Sequence, residues 1–197
     1  MNTYIKPWDA RLAALLIAPF RDSRVVTPNH FTTLRFLTGM ASAWVFARGD
    51  SPNLAAWLYA LSMFLDHTDG ELARLSGKST RFGHYYDLIT DFLVNVTLFV
   101  GIGVGLSASV PGATWMGIAA GLSVAAIFQM RHEMEQRLGK NATRQPGAFG
   151  FEAEDVLYLL PAVTHAGILK PFLIAAVFGA PVAALIVFAL YLKMRRP

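Results

Sequence analysis

The sequence predicts an all-α integral membrane protein: six transmembrane helices preceded by an N-terminal amphipathic helix in the membrane interface. Three observations predict it. Of the 197 residues, 54% are hydrophobic and 15% charged, whereas soluble globular chains carry about 25% charged residues. The apolar residues gather into separate segments near the about 20 residues that a membrane span needs. The basic residues are also segregated. With the N-terminus in the cytoplasm, all of the 17 Lys and Arg except Arg48 and Lys170 fall inside or in helix ends near the inside. The positive-inside rule produces that asymmetry, and a soluble helical protein has no reason to. Both termini are therefore expected in the cytoplasm. Basic residues spread thinly between apolar runs exclude nucleic acid as a partner, despite a net charge of +4. The absence of Cys excludes disulfides, thiolate metal sites and a Cys nucleophile.

Taken in order, residues 1–27 form the juxtamembrane unit and 28–197 the membrane domain. Ile5, Trp8, Leu12, Leu15, Leu16 and Phe20 recur at helical steps, with Lys6, Asp9 and Arg11 off that stripe. No cleavable signal peptide is expected, because residues 1–24 lack an apolar core with a small-residue cleavage site. Pro28 and Asn29 mark a helix start, and the first apolar segment runs roughly 29–47. Arg48 to Pro52 is a break. The second segment covers about 53–75, Gly77 to Gly83 is a polar turn, and the third covers about 84–106. Pro111 and Gly112 separate it from the fourth, about 113–130. Residues 131–150 read as a polar connection. The fifth segment, about 152–168, is interrupted by Pro161, and the sixth runs about 171–192.

Within two of these segments lie four carboxylates: Asp66, Asp69, Asp87 and Asp91. Each costs about 2.5–3.5 kcal/mol at a helix centre on the insertion scale, so the group demands compensation. Asp66 and Asp69 are i and i+3, Asp87 and Asp91 i and i+4, so each pair shares a helix face. Asp69 stands about 10 Å up the second helix from the turn and Asp91 about 12 Å up the third. Two antiparallel helices joined by that turn bring the pairs to similar depth. Acidic oxygens without Cys or clustered His suit a hard cation, Mg²⁺ or Mn²⁺. Gly70 and Ala73 share the Asp66/Asp69 face, and Gly83 the Asp87/Asp91 face. Small residues there serve close helix packing, clearance for a ligand, or both. Arg74, one turn beyond Gly70, is a positive-inside anchor or, beside a metal cluster, a grip for phosphate.

The run Asp66-His-Thr-Asp69-Gly70-Glu-Leu-Ala73-Arg74, then eight residues, Gly83, three residues, Asp87, three residues and Asp91 fills every fixed position of D-x2-D-G-x2-A-R-x8-G-x3-D-x3-D. By that run the chain resembles the CDP-alcohol phosphotransferase family. The six-helix layout, the amphipathic start and Thr27 to Thr32 resemble it too, so the likeness spans nearly the whole chain. The resemblance implies a membrane transferase of phospholipid synthesis. It would move a phosphate-linked alcohol from a CDP-alcohol to a hydroxyl acceptor and release CMP. It further implies two divalent ions, Mg²⁺ or Mn²⁺, held by Asp66, Asp69, Asp87 and Asp91, with Asp91 also the general base. Gly70, Arg74, Thr80, Asn29 and Thr32 would contact the CDP moiety. The resemblance implies a homodimer as well; Gly101, Gly103 and Gly105 allow close helix contact.

The chemistry is consistent with the residues alone. Carboxylate-bridged cations neutralise a pyrophosphate and stabilise the charge on leaving CMP. In-line attack at phosphorus needs mostly positioning and charge. A weak base such as Asp91 acts best on a hydroxyl polarised beside a metal. CDP-diacylglycerol is the expected donor; a soluble CDP-choline or CDP-ethanolamine type of donor with a lipid hydroxyl acceptor is the alternative. The expected location is the inner (cell) membrane of a bacterium, with the site on the cytoplasmic side. His67 and His84 flank the carboxylates but point about 100° away from them on a helix. His132 reads as solvated and His165 as a packing residue. Arg131, Arg137, Lys140 and Arg144 anchor to anionic lipid or bind a second phosphate on the acceptor. Glu152, Glu154 and Asp155 stabilise a helix start or, facing the site, favour a cationic head group. A divalent-cation transporter would need a polar path outward, which the uncharged stretch 96–128 argues against. A non-catalytic lipid- or nucleotide-binding scaffold would tolerate loss of Asp91.

Overall fold

A computed structural model describes residues 8–23, 25–138 and 153–195, and they are all-helical. Helix α1 spans Trp8–Ile17 and continues into a 3₁₀ turn, Ala18–Phe20. Then follow α2 (Pro28–Arg48), α3 (Pro52–Ser76), α4 (Arg81–Leu106), α5 (Ala113–Leu138), α6 (Leu160–His165) and α7 (Leu169–Arg195). A 3₁₀ stretch, Ala153–Leu159, leads into α6. The expectations placed on Ile5, Lys6, Lys140, Arg144 and Glu152, and on the side chains of Trp8, Asp9, Glu154 and Asp155, lie outside the described residues.

Local chemistry sets the helix boundaries. Pro28 and Pro52 open α2 and α3, where a missing N–H costs nothing and φ is already helical. Gly77 ends α3 in the left-handed region at φ 64°, which a side chain would strain. Thr80 caps α4, its hydroxyl accepting from the Gly83 N–H at 2.9 Å. Helix α4 therefore starts at Arg81, and Gly83 belongs to its first turn instead of the loop. Helix α5 also departs from expectation, because it runs on through Arg131 to Leu138. The sequence marks where the chain leaves the apolar phase, but a helix need not end there. Its backbone stays satisfied in water, and the Glu133–Arg137 pair at 2.5 Å supports the extra turns. His132, read as solvated loop, instead sits on α5 with its ring 5.4 Å from that of His84.

Helix α4 packs on both α2 and α5; α2 also packs on α3, and α5 on α7. A Cβ at Gly101 would collide with the Ala43 carbonyl, and one at Gly105 with the Phe46 carbonyl, both on α2. A Cβ at Gly103 would strike the Ala113 carbonyl of α5. These glycines are therefore used for contacts inside the chain. Phe46, Tyr59, Leu98, Phe99 and Ile102 fill the core between the helices.

Among the described residues, Arg81–Leu106, Ala113–Arg137 and Leu169–Met194 are long and apolar enough to cross a membrane. The α7 window has only 11% of its residues buried, and Phe178, Val182, Leu185 and Ile186 stand outward. Helices α2 and α3, of 21 and 25 residues, have the length but turn Thr32, Arg35, Ser62, Asp69 and Glu71 inward.

Candidate active site

Helices α3 and α4, joined by the turn at Gly77–Thr80, both pack on α2, and their acidic side chains converge beside it. Asp66, Asp69 and Asp87 each offer an oxygen, and these lie within 4.8 Å of one another. Asp91 joins the group through a cation from a third helix. Arg35 of α2 donates from Nη1 to Asp66 Oδ1 at 2.6 Å and to Asp87 Oδ1 at 2.9 Å, while Nη2 pairs with Asp91 Oδ1. The arginine side chain is only 4% exposed, but those of Asp66 and Asp87 are 34% and 29% exposed. The carboxylates thus line an opening, and Arg35 closes its floor.

Thr32, one turn before Arg35, donates its hydroxyl to Asp69 Oδ2 at 2.7 Å. It is buried, so it sits behind a carboxylate and away from the opening where a nucleotide would be reached. Deeper in the bundle, Asn95 donates to the Asp91 carbonyl at 2.9 Å and accepts from Tyr59 Oη at 2.8 Å. This buried chain ties α3 to α4 next to Asp91.

The signature glycines separate into two roles. A Cβ on Gly70 would meet nothing nearer than Arg74 Nη2 at 3.9 Å. The space over Gly70 is open, which is the geometry of ligand clearance. A Cβ on Gly83 would lie 2.8 Å from Asn29 Oδ1 and 3.0 Å from Thr80 Oγ1. Gly83 therefore lets Asn29 and Thr80 close on one point at the N-terminal ends of α2 and α4. Arg74 is half-exposed beside Gly70, and Glu71 Oε1 accepts from its Nη2 at 2.6 Å. Glu71 itself is buried.

Sequence reasoning missed Arg35 and Glu71 as parts of this site. In the sequence Arg35 counts only among the basic residues on the inner side. The signal was present: a lone Arg inside an apolar segment needs a partner as much as the Asp residues do. Glu71 sits between fixed positions of the signature and had no such mark. His67 Nδ1 lies 3.1 Å from the Met63 carbonyl, and His84 stacks on His132. His165 Nδ1 lies 2.7 Å from the Pro161 carbonyl.

An all-oxygen, anionic and partly open donor set fits a hard divalent cation and excludes a soft-metal thiolate site. A fork-shaped guanidinium over open space beside it fits a phosphate.

Comparison with known proteins finds related sequences and a related fold. Residues 25–192 match the CDP-alcohol phosphatidyltransferase profile. The chain is 35% identical over 80 residues to the archaetidylinositol phosphate synthase of Pyrococcus horikoshii, which is 41% of this chain and 42% of that protein. It is 35% identical over 66 residues to the CDP-diacylglycerol–serine O-phosphatidyltransferase of Helicobacter pylori, 34% of this chain and 27% of that one. The match thus spans less than half the length of either relative. The phosphatidylinositol phosphate synthase of Mycobacterium tuberculosis, solved in complex with manganese and citrate, superposes with a TM-score of 0.61 at 21% identity. That match covers 94% of this chain and 87% of the other. The same synthase with CDP-DAG bound gives 0.60 at 22% identity, covering 94% and 92%. At that identity the likeness is one of fold.

Proposed function

The chain belongs to the CDP-alcohol phosphatidyltransferase family, and on that premise we propose that it transfers a phosphatidyl group from CDP-diacylglycerol to a hydroxyl acceptor, releasing CMP. The observation that carries the reading is the convergence of Asp66, Asp69 and Asp87 within 4.8 Å, with Asp91 joined to them through Arg35. The donor choice is supported by the serine phosphatidyltransferase relative, named for CDP-diacylglycerol.

Asp66, Asp69, Asp87 and Asp91 would hold two divalent ions, Mg²⁺ or Mn²⁺. Bound there, the ions supply charge neutralisation of the pyrophosphate and of the departing CMP. The chain's own residues do the rest. Arg74, steadied by Glu71, grips a donor phosphate, and Gly70 leaves the room for it. Asn29 and Thr80 meet the cytidine end near the cytoplasm. Thr32 orients Asp69. Asp91 accepts the acceptor's hydroxyl proton as its oxygen bonds to phosphorus and the bond to the CMP oxygen breaks.

The reading includes a membrane domain over residues 28–197 of six spans, with 1–27 as a juxtamembrane segment. Both termini and the site face the cytoplasm of a bacterial inner membrane, and two chains pair as a homodimer. The test is CMP release by purified protein with Mg²⁺, CDP-diacylglycerol and a panel of acceptors. Release that Asp91→Asn abolishes supports the proposal. Release only from a soluble CDP-alcohol would overturn the donor, and none from either donor would sink the reading.

A further inference from the structure

Arg35 competes with a cation for the same atoms. Its Nη1 lies 2.6 Å from Asp66 Oδ1 and 2.9 Å from Asp87 Oδ1. Asp66 and Asp87 are two of the three residues whose oxygens converge within 4.8 Å. Mg²⁺ binds oxygen at about 2.1 Å, so an ion on those two oxygens would stand against a positive nitrogen. The arginine is 3% exposed, and water does little there to screen the repulsion. Its backbone is held as well, because Ser62 Oγ donates to the Arg35 carbonyl at 2.9 Å. Any yielding must come from the side chain. Without the guanidinium, four carboxylates would have to be brought together in the bundle with no counter-charge, which is unfavourable until metal arrives.

We propose that Arg35 is an internal counter-ion, a positioning residue that stands in for a cation among Asp66, Asp87 and Asp91 in the metal-free protein. It holds the carboxylates together during folding and insertion, and it weakens metal binding by competing for Asp66 and Asp87. On loading, the guanidinium gives up the carboxylate oxygens that the ions take. The planar fork suits this role, since one guanidinium spans three carboxylates and an ammonium is a single point. The inference rests on the metal-site reading above.

The experiment is Mn²⁺ binding to the purified full chain in nanodiscs, followed by the resonance of free Mn²⁺, with thermal unfolding in EDTA and in saturating Mn²⁺. Wild type should fold in EDTA and bind Mn²⁺. Arg35→Gln should bind Mn²⁺ about tenfold tighter or more, because a fixed positive charge beside the site is gone. Its melting temperature should fall further in EDTA than in Mn²⁺. Recovery of that variant only when Mn²⁺ is present throughout would also support the proposal. Binding equal to or weaker than wild type would overturn it. If Arg35→Gln is recovered under neither condition, Arg35→Lys decides. It keeps the charge but spans fewer oxygens, so binding about threefold tighter than wild type is expected, and unchanged or weaker binding overturns the proposal. A wild-type chain that binds no Mn²⁺ would overturn the metal site and this inference together.

Discussion

Gly70 and Gly83 occupy equivalent-looking places in the signature, yet a methyl group at each meets different surroundings. At Gly70 the nearest atom is the end of Arg74, 3.9 Å away. Gly70→Ala should therefore keep or raise stability, since Ala is better than Gly in a helix by about 0.5–1 kcal/mol. CMP release should still drop, with a raised KM for the donor, because the methyl fills the space a phosphate needs. An unchanged KM would remove Gly70 from the donor site. At Gly83 a methyl meets Asn29 Oδ1 at 2.8 Å and Thr80 Oγ1 at 3.0 Å. Both are side-chain ends that can give way. Gly83→Ala should therefore change unfolding little but push Asn29 and Thr80 aside and raise the donor KM. An unchanged KM would remove this pair from the donor site. Glu71 gives a third test at this scale. It is buried and holds Arg74 at 2.6 Å. Glu71→Gln removes the charge that steadies Arg74. The donor KM should rise several-fold while the Mn²⁺ affinity stays near wild type. A fall in metal affinity instead would make Glu71 part of the metal site.

Helix α4 organises the fold because one of its faces serves chemistry and the others serve packing. Asp87 meets the carboxylates of α3 and Asp91 meets Arg35 of α2, while Gly101 and Gly105 admit the α2 backbone and Gly103 admits α5. Gly101→Val should therefore destabilise the protein more than the same change at Gly179 of α7, where a Cβ meets nothing within 4 Å. Comparable melting temperatures for the two variants would show that the α2–α4 contact is not tight in the membrane. The glycines were visible in the sequence, but their partner was not. A small-residue stripe says that something comes close, and either a second copy or a neighbouring helix satisfies it. Helix ends were legible where a Pro or a left-handed Gly marks them, as at Pro28 and Gly77, whereas the Thr80 cap starts α4 at Arg81, ahead of the expected position near residue 84. The end of α5 was not, because Arg131 and Glu133 mark a change of solvent and leave the helix intact.

At the scale of the whole molecule, topology is the testable quantity. The chain contains no Cys, so single introduced thiols report without background. Ser109→Cys, in the turn after α4, should react with a membrane-impermeant maleimide in intact cells. Ser79→Cys, in the turn before α4, should react only after permeabilisation. The opposite pattern would invert the membrane orientation and put the carboxylates at the wrong face for a cytoplasmic nucleotide. The sequence by itself determined the helical membrane class, the family and the pairing of Asp66 with Asp69 and of Asp87 with Asp91. Those features live in composition and in spacings of three and four residues, which helix geometry converts directly into faces. Only the tertiary structure decided what joins those faces from outside. Thr32 and Arg35 reach the carboxylates across more than 30 positions of chain, at Asp69, Asp87 and Asp91. Local spacing carries no information about which helix closes the third side of a site, because that contact depends on how whole helices pack.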